Sequence, residues 1–549
     1  MTTQTDPRLA AQQVVAGLTG PGAPFELVRE EVLGAPVTLF ANRRRALHEV
    51  LADSVQHGDR PFIVSLEEEL SFAKHAAQVS SLAQALREEH GVRQGDRVAI
   101  AAANTTEWIL TFWAVTSMGA IAVGFNAWWS ARELGYGLEH AEPVLVVADD
   151  KRRALLADSP VPVLGLDDVR RLAAAHPDAP LPSADVAEDD PAVILYTSGT
   201  SGRPKGATHS HRNLCSVIEY HRMSDALMAA FGDPTDPRDR SYLLVMPLFH
   251  IGSLHNLVAP RLATGSKVAL HLGSFQVDPV MRLVEKARVT NWGAVPTMAG
   301  RLLEADLSAY DTSSLRAFSL ASAPSSPQLK ERLRTGLPFA SALVDSYGLT
   351  ESCTAVAVAT PMDLADTPGT LGRPIVGVEL EVRGADGQPV PAGVEGEICV
   401  RSAYNMLGYW KDDVATASSL REGRWLHTGD LGTLDEQGRV SLSSRRSDLI
   451  IRGGENVYPA EVEGVLTDHP DVAECIVMGV THPDLGQEVG AVVVPAPGAA
   501  VDGLEERLAA YASEQLAYFK VPTRWKLTPH PLPRNATGKV VRREVALER

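Results

Sequence analysis

One stretch of the chain gathers the residue types that hold polyphosphates: Tyr196-Thr197-Ser198-Gly199-Thr200-Ser201-Gly202-Arg203-Pro204-Lys205-Gly206, directly after the apolar run 193–195. Its glycines free backbone N–H groups to approach phosphate oxygens, its hydroxyls add donors, and Lys205 adds a mobile positive charge. The loop suits a nucleoside triphosphate. It is not a Walker A loop, because Pro204 stands where that pattern needs glycine and Gly206 where it needs Ser or Thr, so P-loop kinases and GTPases are set aside.

Four companions follow in order: Asp345-Ser346-Tyr347-Gly348-Leu349-Thr350-Glu351, Trp425-Leu426-His427-Thr428-Gly429-Asp430, the run from Arg445 to Pro459 containing Gly453 and Gly454, and Pro533-Arg534-Asn535-Ala536-Thr537-Gly538-Lys539. Only ten of the 51 basic residues are lysines. Those retained, Lys205, Lys520 and Lys539 among them, are candidates for places that need a compact ammonium.

Such loops need a scaffold, and the rest of the chain supplies one. At 549 residues it exceeds the single-core range and predicts more than one domain. Short apolar runs at 97–102, 144–147, 193–196 and 267–270 alternate with helix-like segments, which predicts α/β layering. After about residue 375 the texture becomes strand-rich, at 378–382, 396–400 and 439–442, as expected of a β-rich subdomain. From residue 448 a smaller α+β unit is expected: helix at 460–466, strands at 472–480 and 489–494, helix at 503–515. The expected division is 1–446 for a large domain and 447–549 for a small mobile one, with a hinge near Ser447. Segments 179–190 and 232–240 read as surface loops.

A net charge of −17 repels nucleic acid and anionic lipid surfaces, so a bulk polyanion binder is excluded. Cys215, Cys353, Cys399 and Cys475 lack metal-like spacing and read as reduced, inert thiols. Residues 1–25 do not resemble a signal peptide, and a cytoplasmic protein is expected. The uncharged stretch 108–129 is long enough to span a bilayer. Gly119, Gly124 and Asn126 interrupt it, and Asn104-Thr105-Thr106-Glu107 resembles a helix start, so it reads as a buried helix followed by a buried strand.

Taken together, the five ordered motifs resemble the adenylate-forming superfamily of acyl-CoA synthetases, luciferases and peptide-synthetase adenylation domains. The resemblance runs from about residue 40 to the end. It implies ATP and coenzyme A as substrates, Mg²⁺ as cofactor, and a carboxylic acid activated first as acyl adenylate, then as thioester. It places Thr197, Ser198, Gly199, Thr200, Ser201, Gly202 and Lys205 over the β- and γ-phosphates, Thr350 on phosphate and Glu351 on Mg²⁺, pairings that suit a hydroxyl and a hard cation. Asp345, Tyr347 and Gly348 fall in the nucleotide segment, with the Tyr347 ring on one side of adenine and Ser322-Ala323-Pro324 on the other. Asp430 is implied to accept both ribose hydroxyls, and Arg445 to reach the ribose.

Lys539 is implied to bridge substrate carboxylate and nucleotide in the first half-reaction. Rotation of the small domain then brings Gly453 and Gly454 to the pantetheine arm. Ser447 stands where the family's hinge residue is usually Asp or Lys, Ser444 replaces a usual glycine, and Ser322 departs from a small glycine-rich pattern. Segment 246–252 lacks the Asp that holds an amino acid's ammonium, and His250 resembles the gate beside the carboxylate in acyl- and aryl-CoA ligases. With small residues at 294–296, 319–323 and 348, a fatty or bulky cyclic acid is expected. Two alternatives stay open: an enzyme that loads a carrier protein or oxygen, and a nucleotide-binding homologue without turnover.

Overall fold

The computed structural model describes residues 7–197, 204–321, 325, 327–445, 448–452, 455–483, 485–516, 518–535, 538 and 540–547. Two α/β sheets lie at its centre. In the first, seven strands run in the order Gly408–Tyr409, Lys205–Ser210, Pro191–Thr197, Ile121–Gly124, Arg97–Ala101, Leu145–Ala148, Val163–Gly165. The last five are parallel; Lys205–Ser210 turns back antiparallel, pairing Lys205 with Thr197 across the glycine-rich loop. The second has nine strands, with Asn291–Ala294, Ala317–Leu320 and Val344–Gly348 adjacent and parallel at its centre.

The uncharged stretch folds as the sequence predicts. Thr105 caps the helix Thr106–Ser117 by accepting from the Trp108 N–H, and every residue of that helix is buried. Gly119, at φ +79, ends it ahead of the buried strand Ile121–Gly124. Among the described residues no helix is long and apolar enough to cross a membrane.

The β-rich subdomain is a five-stranded sheet of Val378–Arg383, Gly396–Ser402, Trp425–Leu434, Leu420–Arg421 and Val440–Arg445. The expected boundary residue, Ser447, lies outside the described residues. A separate sheet follows, in which Gly486–Pro495 pairs with Val472–His482 and, in parallel, with Arg524–Leu527. The helices Pro459–Thr467 and Leu504–Ser513 cover it, and Val462, Leu466, Val489, Ala491 and Leu508 close its own core. Segment 179–190 is more than a surface loop, because Glu188 meets the buried Arg43 at 2.9 Å and also binds Arg45 and Arg212. Cys215, Cys353 and Cys399 are buried, and burial pushes the Cys399 and Cys475 thiols up to about 12, far from a thiolate at neutral pH.

Candidate active site

The parallel strands Asn291–Ala294, Ala317–Leu320 and Val344–Gly348 end side by side, leading into residues 295–297, 321 and 349–351. Ligands of open α/β sheets bind beyond such carboxyl ends. Gly348 is required there by close approach: a Cβ would lie 2.5 Å from the Thr354 carbonyl oxygen. Thr350–Ser352 then forms one 3₁₀ turn, closed by Cys353 at φ 62.

Glu351 is held by a strand from elsewhere in the chain. The Tyr409 hydroxyl donates to Glu351 Oε1 at 2.7 Å, and the Met406 N–H donates to the Glu351 carbonyl at 2.8 Å. Lys205 sits with Nζ 5.0 Å from the centroid of the same Tyr409 ring. Burial and then the Glu351 carboxylate push the Tyr409 pKa up, so the phenol remains a donor. The lysine of the glycine-rich loop and the carboxylate of the second motif therefore meet on one aromatic side chain. The Glu351 carboxylate suits a hard cation such as Mg²⁺.

A second cluster joins the next two motifs. Tyr347 is 8 % exposed, packs against Val356, Ile398 and Val440, and donates its hydroxyl to Asp430 Oδ2 at 2.6 Å. Asp430 stands opposite Arg445 in the antiparallel ladder, so the two residues read as ribose ligands are direct strand neighbours. Glu397 fixes the turn before them, accepting from the Gly429 N–H at 3.1 Å and lying 3.0 Å from His427 Nδ1.

Asp345 shares the strand of Tyr347. Its carboxylate is 3 % exposed and turned inward, where Lys330 Nζ at 2.6 Å, the Ser325 hydroxyl at 3.0 Å and the Ser346 N–H at 2.9 Å occupy it. A buried carboxylate requires such partners, and they brace the strand end. Lys520 is likewise engaged, at 2.7 and 2.8 Å from the two oxygens of Glu461.

His250 caps the short helix Ile251–Ser253, ahead of a π-helical turn at Leu254–Val258. The preceding turn is clamped by buried Asn104, whose side chain donates to the Met246 carbonyl at 3.0 Å and accepts from the Leu248 N–H at 2.8 Å. Burial lowers the His250 pKa to about 4, so the ring is neutral. Its Nε2 has no hydrogen-bond partner among the described residues.

At the C-terminal end, Asn535 and Gly538 form a turn closed by the Gly538 N–H to the Asn535 carbonyl at 2.8 Å, and Arg534 donates to the Gly538 carbonyl at 2.8 Å. A Cβ on Gly538 would lie 2.6 Å from Thr297 Oγ1 and 3.6 Å from Val295 Cγ2. The turn thus seats against the start of the helix Pro296–Glu304 in the large region. Ser198, Gly199, Thr200, Ser201, Gly202, Ser322, Ala323, Pro324, Gly453, Gly454 and Lys539 lie outside the described residues, as does the side chain of Arg445.

Residues 51–410 match the model of the AMP-binding enzyme family, and residues 461–539 match that of the AMP-binding enzyme C-terminal domain. The chain belongs to the AMP-binding enzyme family. A feruloyl-CoA synthase of Amycolatopsis is 36 % identical over 91 % of this chain and 97 % of its own length. An indoleacetate–CoA ligase of Aromatoleum aromaticum is 34 % identical over 87 % and 93 %. An o-succinylbenzoate coenzyme A synthetase of Bacillus subtilis, solved with ATP and magnesium ion, superposes with a TM-score of 0.78 at 31 % identity over 90 % of this chain and 98 % of that one. Within this family frame, Tyr409, Glu397 and Lys330 are site-building residues that sequence reasoning missed. Each acts through a partner distant in the chain, and no local pattern announces it.

Proposed function

We propose that this chain is a Mg²⁺-dependent, AMP-forming ligase that joins an aromatic or other bulky cyclic carboxylic acid to coenzyme A. In the first step a carboxylate oxygen attacks the α-phosphorus of ATP and the bond to pyrophosphate breaks. In the second, the coenzyme A sulfur attacks the acyl carbon, its thiol proton leaves, and AMP departs with the bonding electrons. The supporting observation is that three separate motifs converge: Lys205 and Glu351 meet on Tyr409 through one ring contact and one hydrogen bond, and Tyr347, from the motif of Glu351, donates to Asp430.

Residues 197–202 and Lys205 would hold the β- and γ-phosphates, Thr350 and Glu351 the phosphate and Mg²⁺, Asp430 and Arg445 the ribose. When bound, Mg²⁺ neutralises charge as pyrophosphate leaves. Ser322-Ala323-Pro324 and Tyr347 would flank adenine, Lys539 would align the two anions, and Gly453-Gly454 would admit the pantetheine arm.

The three relatives above are named for feruloyl, indoleacetate and o-succinylbenzoate, which supports the cyclic half of the sequence expectation and not the fatty half. A neutral His250 with a ring nitrogen that has no hydrogen-bond partner among the described residues would be available to the bound acid.

The test is product formation with ATP, Mg²⁺ and coenzyme A against hydroxycinnamic, arylacetic, benzoic, polycyclic and straight-chain fatty acids, read by mass spectrometry. Acyl-CoA from an aryl or polycyclic acid is expected. Turnover of fatty acids alone would overturn the acid class, and acyl adenylate without thioester would redirect the acyl group to a carrier protein. A flat pyrophosphate assay across the panel would leave a nucleotide-binding homologue.

A further inference from the structure

Tyr409 belongs to no motif singled out in the sequence, yet it stands where two of them meet. Its main chain is pinned on several sides. The Tyr409 N–H donates to Thr416 Oγ1 at 2.9 Å, its strand pairs Tyr409 with Ala207, and the Trp410 N–H donates to the Gly206 carbonyl at 2.7 Å. A backbone so anchored cannot shift without breaking the ladder that carries Lys205. Packing alone would be served by phenylalanine. The hydroxyl instead takes up one oxygen of Glu351 at 2.7 Å, while the ring face carries the Lys205 ammonium.

We propose that Tyr409 is a positioning residue for the metal-holding carboxylate: it occupies Oε1 of Glu351, leaves Oε2 to accept a divalent cation, and seats Lys205 alongside. This inference rests on the ligase reading above. A carboxylate has two oxygens with lone pairs to spare, so one can accept the phenol while the other meets a cation. Fixing the carboxylate beforehand removes the rotational freedom that cation binding would otherwise have to freeze, and loss of such an outer partner weakens metal binding by roughly 10- to 100-fold.

The deciding experiment measures Mn²⁺ binding by electron paramagnetic resonance in the presence of α,β-methylene-ATP, which cannot form an adenylate. Wild type, Tyr409→Phe, Glu351→Gln and the double variant are compared, with thermal melts confirming that each is folded. Tyr409→Phe should weaken Mn²⁺ binding about 10-fold or more, and should weaken it no further in the Glu351→Gln background. It should raise the Mg²⁺ concentration for half-maximal pyrophosphate release while leaving KM for the acid unchanged. Tyr409→Leu, which also loses the ring under Lys205, should lose nucleotide affinity even at saturating Mn²⁺. Wild-type Mn²⁺ affinity in Tyr409→Phe would overturn the proposal, as would independent, multiplying losses in the double variant. A wild-type chain that shows the predicted coupling yet releases no pyrophosphate with any acid would sink the ligase reading and leave the pairing of Tyr409 with Glu351 standing.

Discussion

The nucleotide side of the site and its C-terminal turn are built on opposite principles. On the nucleotide side, side chains from distant segments lock onto one another: Tyr409 with Glu351 and Lys205, Tyr347 with Asp430, Glu397 with the Gly429 turn. The C-terminal turn is held by its own unit, through Arg534, which reaches both the Gly538 carbonyl and Glu474 at 2.8 Å, and it meets the large region at a glycine. A locked cluster preserves geometry across a reaction; a glycine seat can be occupied and vacated with no side chain to withdraw. Under the proposed function, such an arrangement would let one face stay while the other leaves between half-reactions.

The sharpest way to break that contrast is Lys539→Ala. Loss of one preorganised cation should cut adenylation by roughly 10²-fold or more, with thioester formation from supplied acyl adenylate largely spared. Equal losses in both half-reactions, followed by pyrophosphate and thioester assays, would show that the turn is not confined to the first. Gly538→Ala tests the seat itself. At φ +79 a Cβ strains the backbone and meets Thr297 Oγ1, a penalty on the order of 1–3 kcal/mol, hence a loss of adenylation of about 5- to 150-fold. Thr297→Ala should recover part of this by removing the obstructing oxygen, though not the backbone strain. An unchanged adenylation rate in Gly538→Ala would mean that the turn does not need this seat.

Much of this was legible from local pattern. The stretch 108–129 resolved into helix and strand because its caps and glycines are written into neighbouring residues. The Asp430 and Arg445 motifs, noticed separately, turned out to be paired across one ladder. What stayed hidden depends on contacts between remote segments. Tyr409 finds Glu351 across 58 positions, and nothing within a few residues of Gly408-Tyr409 signals a carboxylate partner. The partner of Asp345 was hidden for the same reason. Alternation along the strand Val344–Gly348 puts Asp345 on the same buried face as Tyr347, where it meets Lys330, which no sequence pattern links to it.

Acid should act on the large region through its buried imidazoles. Burial holds His209, His211 and His250 near a pKa of about 4, and His75 and His221 near about 3. An unfolded histidine takes up its proton near 6.5, so between that pH and about 4 the unfolded chain binds more protons than the native one. Stability contributed by these groups is therefore present above pH 6.5 and lost as pH falls through that window, at up to about 1.4 kcal/mol per pH unit for each. Melting temperature measured from pH 7 to 4.5 should fall continuously, and His250→Asn should flatten the slope by about one proton. A slope unchanged in that variant would place the His250 pKa outside the window.

The gentlest probe is Tyr347→Phe, which keeps the packed ring and removes the donor to Asp430 Oδ2. A hydrogen bond of this kind contributes about 0.5–1.5 kcal/mol, so KM for ATP should rise by a few-fold, with kcat and Mg²⁺ dependence nearly unchanged. The separation from Mg²⁺ dependence is the informative part, because the two locked clusters share the nucleotide but divide its ends between them. A rise in the Mg²⁺ requirement of Tyr347→Phe as large as the rise in KM would mean that ribose and phosphate clusters move as one body. A rise in KM alone would show that each lock holds its own end of the nucleotide.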